Sequence, residues 1–234
     1  GALGANPTRV RWRLIRWHHR RTHGELQPVD QISHVFSLST ALGLVMVAVY
    51  MRLLAAQGGG MSPSSRVLFA FGGFWPAAAP DAWRLVTASL LHVGLWHLAF
   101  NLLGLAVVGP QVEQRYGRLT MLFLFAATAV AGNLGSELFQ PDVPTVGASG
   151  GLCGLIGVMA AVGQRAGTTG GRLIRNDMLR WFAFTIVFGF GIGANNYGHV
   201  FGALAGASFG YALSPRTWKL RPLAPLRAVT AIAG

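Results

Sequence analysis

The chain has 234 residues, 52% of them hydrophobic and only 11% charged, with a net charge of +12 and a single cysteine, Cys153. A soluble domain carries roughly 25% charged residues, so this composition excludes an ordinary soluble fold and indicates one membrane domain. The lone cysteine excludes an internal disulfide framework, and the basic charge, segregated as described below, fits a membrane rather than nucleic acid.

The first 33 residues form a polar, basic tail in which Arg9, Arg13, Arg16 and Arg20 fall on one helical face. Two readings stand for it: a basic amphipathic helix on anionic lipid, or a disordered tail held by charge bias. No signal peptide is expected, because about thirty polar or basic residues precede the first apolar run.

The region 34–213 contains six expected membrane spans, close to the roughly 17–25 residues that a bilayer requires. They run Phe36–Ala55, Leu91–Val108, Thr120–Leu138, Ala148–Gly163, Leu179–Ile192 and Tyr197–Leu213. Turn signals separate them, including Gly58-Gly59-Gly60, Gln140-Pro141-Asp142 and Gly167-Thr168-Thr169-Gly170-Gly171. The connection from Ala56 to Leu90 is apolar and broken by Gly and Pro. With Phe71, Phe74, Trp75 and Trp83 it is expected in the outer interface, where aromatic rings are favoured. A C-terminal tail, 214–234, follows the sixth span.

Sixteen of the 19 basic residues fall in the two tails, in the loop after span two, and between spans four and five. The positive-inside rule then puts both termini in the cytoplasm. Spans two, four and six therefore begin at the outer face.

Polar residues within a span are costly and are functional candidates. Span two carries His92, His97 and Asn101, span four opens with Ser149, and span six opens with His199. All sit in the first turns of spans entering from outside, so they share a depth. His199, Gly202, Ala203, Gly206 and Gly210 lie on one helical face, and Gly150, Gly154 and Gly157 form a matching small stripe on span four. Two such stripes allow close helix approach, which brings Ser149 and His199 within hydrogen-bond reach. A neutral imidazole there can take the serine proton. His97 and Asn101, four residues apart, can donate to a developing oxyanion, with the Ser149 N–H as a third donor. No acidic residue is well placed to complete a triad. Glu137 is the only nearby option, so a Ser–His dyad is expected. Gly147-Ala148-Ser149-Gly150-Gly151 also fits G-x-S-x-G, but without the strand-turn-helix setting of soluble hydrolases.

Several separate motifs resemble the rhomboid family of intramembrane serine proteases. They are Trp83-Arg84 in the first loop, H-x-x-x-x-H-x-x-x-N at His92, His97 and Asn101, and E-x-R-x-G at Glu113, Arg115 and Gly117. Gly147-Ala148-Ser149-Gly150 and the helix bearing His199, Gly202 and Gly206 complete the set, which covers about Arg66 to Leu213. The resemblance implies an all-α bundle of six transmembrane helices in the cell membrane, with the active site open to the extracytoplasmic side. It implies Ser149 as nucleophile and His199 as base, with His97, Asn101 and the Ser149 N–H as oxyanion hole. His92 and Gly147 support the site. The implied substrates are single-span or polytopic membrane proteins, with no metal or cofactor and no nucleic-acid partner. Cys153 departs from the family, which often has an aromatic residue there packed on the base. Either the base is held more loosely, or Phe201 or Tyr197 substitutes. The alternatives to a protease are a non-catalytic relative that binds membrane helices and a metal transporter lined by His92, His97, His199 and Glu137.

Overall fold

The computed structural model describes residues 37–213, except 76, 79 and 80. The basic N-terminal tail, with its two readings, and the tail beyond 213 lie outside the described residues. Those described are helical, with an isolated bridge between Phe74 and Thr145 as their β pairing.

Helix α1, Leu38–Gln57, opens on Ser37, whose hydroxyl accepts from the Thr40 N–H, and closes on Gly58 in the left-handed conformation. Both devices satisfy backbone groups that a helix end leaves open. The first loop is more ordered than its broken sequence suggests. It contains α2, Ser65–Ala70, and α3, Arg84–Thr87, which runs into a 3₁₀ turn at Ala88–Leu90. The Arg84 guanidinium organises it, although a buried charge is costly unless fully bonded. Arg84 is 8% exposed. It donates to the carbonyls of Phe69 and Gly73 at 2.7 and 3.1 Å and pairs with Asp81 at 3.1 Å. It also stacks over the rings of Phe69 and Trp83.

Helix α4 spans Leu95–Tyr116 and α5 spans Arg118–Phe139, with the extended Gly94 before α4 and Gly117, at φ +89°, between the two. The expected second span, Leu91–Val108, is shifted at both ends. Its start moves inward, leaving His92 outside the helix. Its end moves outward because the helix passes through Pro110. Gly109-Pro110 reads as a stop signal, but Gly109 is there for packing: a Cβ on it would lie 2.7 Å from Ser39 Oγ. The motif residue Glu113 caps α1, accepting from the N–H groups of Leu38 and Ser39 and from Ser39 Oγ at 2.7–3.0 Å.

Helix α6, Ser149–Arg165, is the central element, with twelve of its seventeen residues buried. Helix α7 spans Thr169–Ile192 and α8 spans Asn196–Ala212. Helix α7 begins ten residues before the expected fifth span, Leu179–Ile192. Gly170-Gly171, read as a turn, lies within α7, where Gly171 meets the Gly163 carbonyl of α6. Such a glycine serves close helix approach, not a turn.

Among the described residues three helices, α1, α4 and α5, are long and apolar enough to cross a membrane. Helices α6 and α8 have 17 residues each, a rise of about 26 Å, and α7 carries charges at its start.

Candidate active site

Three glycines make the crossing on which the site is built. Gly132 of α5, Gly150 of α6 and Gly198 of α8 meet so closely that a Cβ on Gly132 would lie 2.7 Å from the Gly198 carbonyl oxygen and 3.3 Å from Gly150 Cα. The stripe continues down α8. Gly202 and Gly206 press on the carbonyls of Gly150 and Gly154, and Gly210 on that of Val158. The small faces expected on spans four and six do pack together, and side chains would hold them apart.

This approach brings Ser149 and His199 together across 50 residues of chain, with Ser149 Oγ 2.8 Å from His199 Nε2. Ser149 is the first residue of α6 and His199 lies in the first turn of α8. The N–H groups of Ser149, Gly150 and Gly151 belong to a first turn with no earlier carbonyl of its own to bond. They face outward at the positive end of the helix dipole.

Gly147 has φ +118°, and a Cβ there would lie 2.6–2.7 Å from the His97 ring. Glycine is therefore required twice, for the backbone turn and for the seat of His97. Asn101 is 4% exposed. It donates one amide hydrogen to the His97 carbonyl at 2.9 Å and keeps a second. His92 is fully buried beside His97, with ring centroids 5.1 Å apart. His97, Asn101, Ser149 and His199 all line one cavity, otherwise walled mainly by apolar side chains such as Leu152, Ile156 and Phe184. On its flank Phe100 of α4 meets Phe188 of α7 with centroids 4.3 Å apart. The cavity presents a serine hydroxyl, an imidazole and several donors among apolar walls.

The loop 143–148 that leads into Ser149 is fixed from the first loop. Phe74 and Thr145 exchange backbone hydrogen bonds at 2.8 and 3.1 Å, and the Gly147 N–H donates to the Ala88 carbonyl at 2.9 Å.

The second nitrogen of His199 faces Asn196 Oδ1, at 2.9 Å, a partner that the sequence reading did not name. Asn196 escapes sequence reading because it looks like a helix-capping asparagine in Asn195-Asn196, and Asn195 in fact performs that role. Its one signal is the i, i+3 spacing to His199. Neither proposed aromatic substitute packs on the base. Tyr197 stacks on Phe139, and Phe201 lies between Phe139 and Gly135. Cys153 lines the cavity beside His199 with no ring in that place. Among the described residues no group of three or more His, Cys, Asp or Glu side chains is placed to hold a metal ion.

A family profile described as a Rhomboid domain matches residues 79–216. The chain is 33% identical over 170 residues to rhomboid protease GluP of Bacillus subtilis, covering 71% of this chain and 33% of that protein. It is 32% identical over 126 residues to putative rhomboid protease YdcA of the same organism, covering 53% and 63%. It is also 34% identical over 102 residues to inactive RHOMBOID-like protein 8 of Arabidopsis thaliana, covering 42% and 29%. The chain thus spans between about a third and under two thirds of the length of these relatives.

Proposed function

The chain belongs to the rhomboid family, and we propose that it is an intramembrane serine endopeptidase that cuts membrane-protein substrates near the outer face. With its apolar helices it is a membrane protein. In this reading α1, α4, α5, α6, α7 and α8 form one six-span domain over 34–213. Both tails are cytoplasmic, and the site opens to the extracytoplasmic side of the cell membrane.

The observation that carries the proposal is the 2.8 Å contact of Ser149 Oγ with His199 Nε2 in the wall of an apolar cavity. Substrate enters as an extended segment with its scissile carbonyl over Ser149. The Ser149 hydroxyl attacks the carbonyl carbon as its proton passes to His199 Nε2. The oxyanion develops against the His97 side chain, the Asn101 amide and the Ser149 N–H, a preorganised donor set. His199 then gives the proton to the leaving amine. A water, deprotonated by the same imidazole, hydrolyses the acyl-enzyme. The site stands at the outer end of α6 because its substrate is also a membrane helix and because water reaches it from there.

The similarity to a protein named as inactive keeps the non-catalytic reading in view. The presence and contact of both Ser149 and His199 support the catalytic one. The test is incubation of the purified chain with a single-span substrate in liposomes, alongside a serine-directed fluorophosphonate. Cleavage and labelling are both expected, and both should vanish in Ser149→Ala. A folded parent chain that neither cleaves nor labels overturns the proposal.

A further inference from the structure

We infer that Asn196 is the positioning residue of the base: it fixes the tautomer of His199 and ties the imidazole to α7, the flank of the cavity. This inference rests on the proposed Ser149–His199 chemistry.

The orientation of the Asn196 amide follows from its two contacts. One end lies 3.1 Å from the Ile186 carbonyl oxygen and the other 2.9 Å from His199 Nδ1. A carbonyl oxygen can only accept, so the end facing Ile186 is the NH₂ group. Oδ1 therefore faces His199, and it too can only accept. That makes Nδ1 the protonated nitrogen. Nε2 is then the lone-pair nitrogen, and it is the one that faces Ser149 Oγ. The hydroxyl must consequently donate to the imidazole, which is the direction general-base catalysis requires.

The amide also carries information between helices. Ile186 belongs to α7, whereas Asn196 and His199 belong to α8. Gly189, on the α7 turn after Ile186, is where Asn196 Oδ1 comes to rest. A Cβ at Gly189 would collide with that oxygen. Gly189, Phe184 and Phe188 all line the cavity, so a substrate that presses on α7 displaces the partner of the amide that aims the base. Contacts of this kind matter because the base is 6% exposed and, among the described residues, no aromatic ring packs on it. Its aim is left to hydrogen bonds and to the glycine crossing.

The experiment uses full-length chain in detergent. It combines three readouts: kcat and KM on a single-span substrate, the rate of fluorophosphonate labelling of Ser149, and ¹⁵N spectra of histidine-labelled protein with His199 assigned by His199→Ala. In the parent, His199 is expected to show a pyrrole-type Nδ1 and a pyridine-type Nε2. Asn196→Ala should lower kcat and the labelling rate about ten- to a hundredfold, the scale of a mis-aimed catalytic group. KM should be unchanged, and the ¹⁵N pattern should shift toward mixed tautomers. Gly189→Ala leaves Asn196 in the sequence but displaces its amide, and should give the same loss of labelling rate and the same ¹⁵N shift. Asn196→Asp restores an acceptor for Nδ1–H but not the donor to the Ile186 carbonyl, and should recover only part of the labelling lost in Asn196→Ala. A loss confined to KM, or parent-like kcat and labelling in Asn196→Ala, overturns the inference, as does a parent His199 protonated on Nε2. The spectrum is a property of the parent, with His199→Ala used only to assign the resonance. Because it is read without turnover, it separates failure here from failure of the protease reading, which an unreactive parent Ser149 would signal.

Discussion

Gly202 of α8 rests directly against the carbonyl oxygen of Gly150 of α6, the residue that follows the proposed nucleophile. This backbone contact, one turn from His199, sets how far the base stands from the serine. The outer face of α7 behaves differently: a Cβ on Gly191 would meet nothing within 4 Å.

Gly202→Val should therefore lose both stability and activity, by at least the roughly 1–3 kcal/mol typical of overpacking, because a backbone carbonyl cannot rotate away. Gly191→Val should stay near the parent in both. The measurements are thermal unfolding in detergent and initial cleavage rate. A Gly202→Val protein as stable and active as the parent would mean that α6 and α8 do not pack through this face.

Ser149 and His199 should behave as one unit. Ser149→Ala, His199→Ala and the double variant are each expected to lose nearly all cleavage, with no further loss in the double, since parts of one relay are not additive. Normal turnover by folded Ser149→Ala would remove the nucleophile assignment.

Asn101 keeps one amide hydrogen beyond the bond it makes to the His97 carbonyl. Asn101→Ala should slow turnover by about 10²–10³, the usual cost of one oxyanion donor, with KM little changed. Compensation by His97 would reduce the loss, and Gly147→Ala, which pushes on the His97 ring, should then remove that compensation. A defect in KM alone would instead assign Asn101 to substrate positioning.

Glu113 tests stability apart from chemistry. It holds the first turn of α1 through three hydrogen bonds and faces Arg118 at 3.3 Å. Glu113→Ala leaves those donors open and should cost about 1–3 kcal/mol, read as a lower unfolding temperature. The folded fraction should keep its kcat. A selective fall in kcat at unchanged stability would contradict this role.

Much of the site was legible in the sequence because the signals were local and chemically expensive. A serine and histidines in apolar runs, glycines at helical spacing, and charge segregated by segment are all periodic or compositional. They led to Ser149, His199, His97 and Asn101 and to the facing small stripes of α6 and α8, which the structure places together. The catalytic roles remain proposals.

What only the tertiary structure decided were features whose meaning depends on a partner distant in sequence. Gly109, Pro110 and Gly171 carry the local signature of a break, yet they sit inside helices, where Ser39 and the Gly163 carbonyl lie against the two glycines. Arg84 looks like a loop cation until Phe69, Gly73 and Asp81 close around it. Asn196 reads as a cap until α7 brings the Ile186 carbonyl to one end of its amide and His199 occupies the other. Sequence determines which residues can donate, accept or approach closely. Which of those capacities is used depends on what the fold sets opposite them, because hydrogen bonds and backbone contacts act only over a few ångströms.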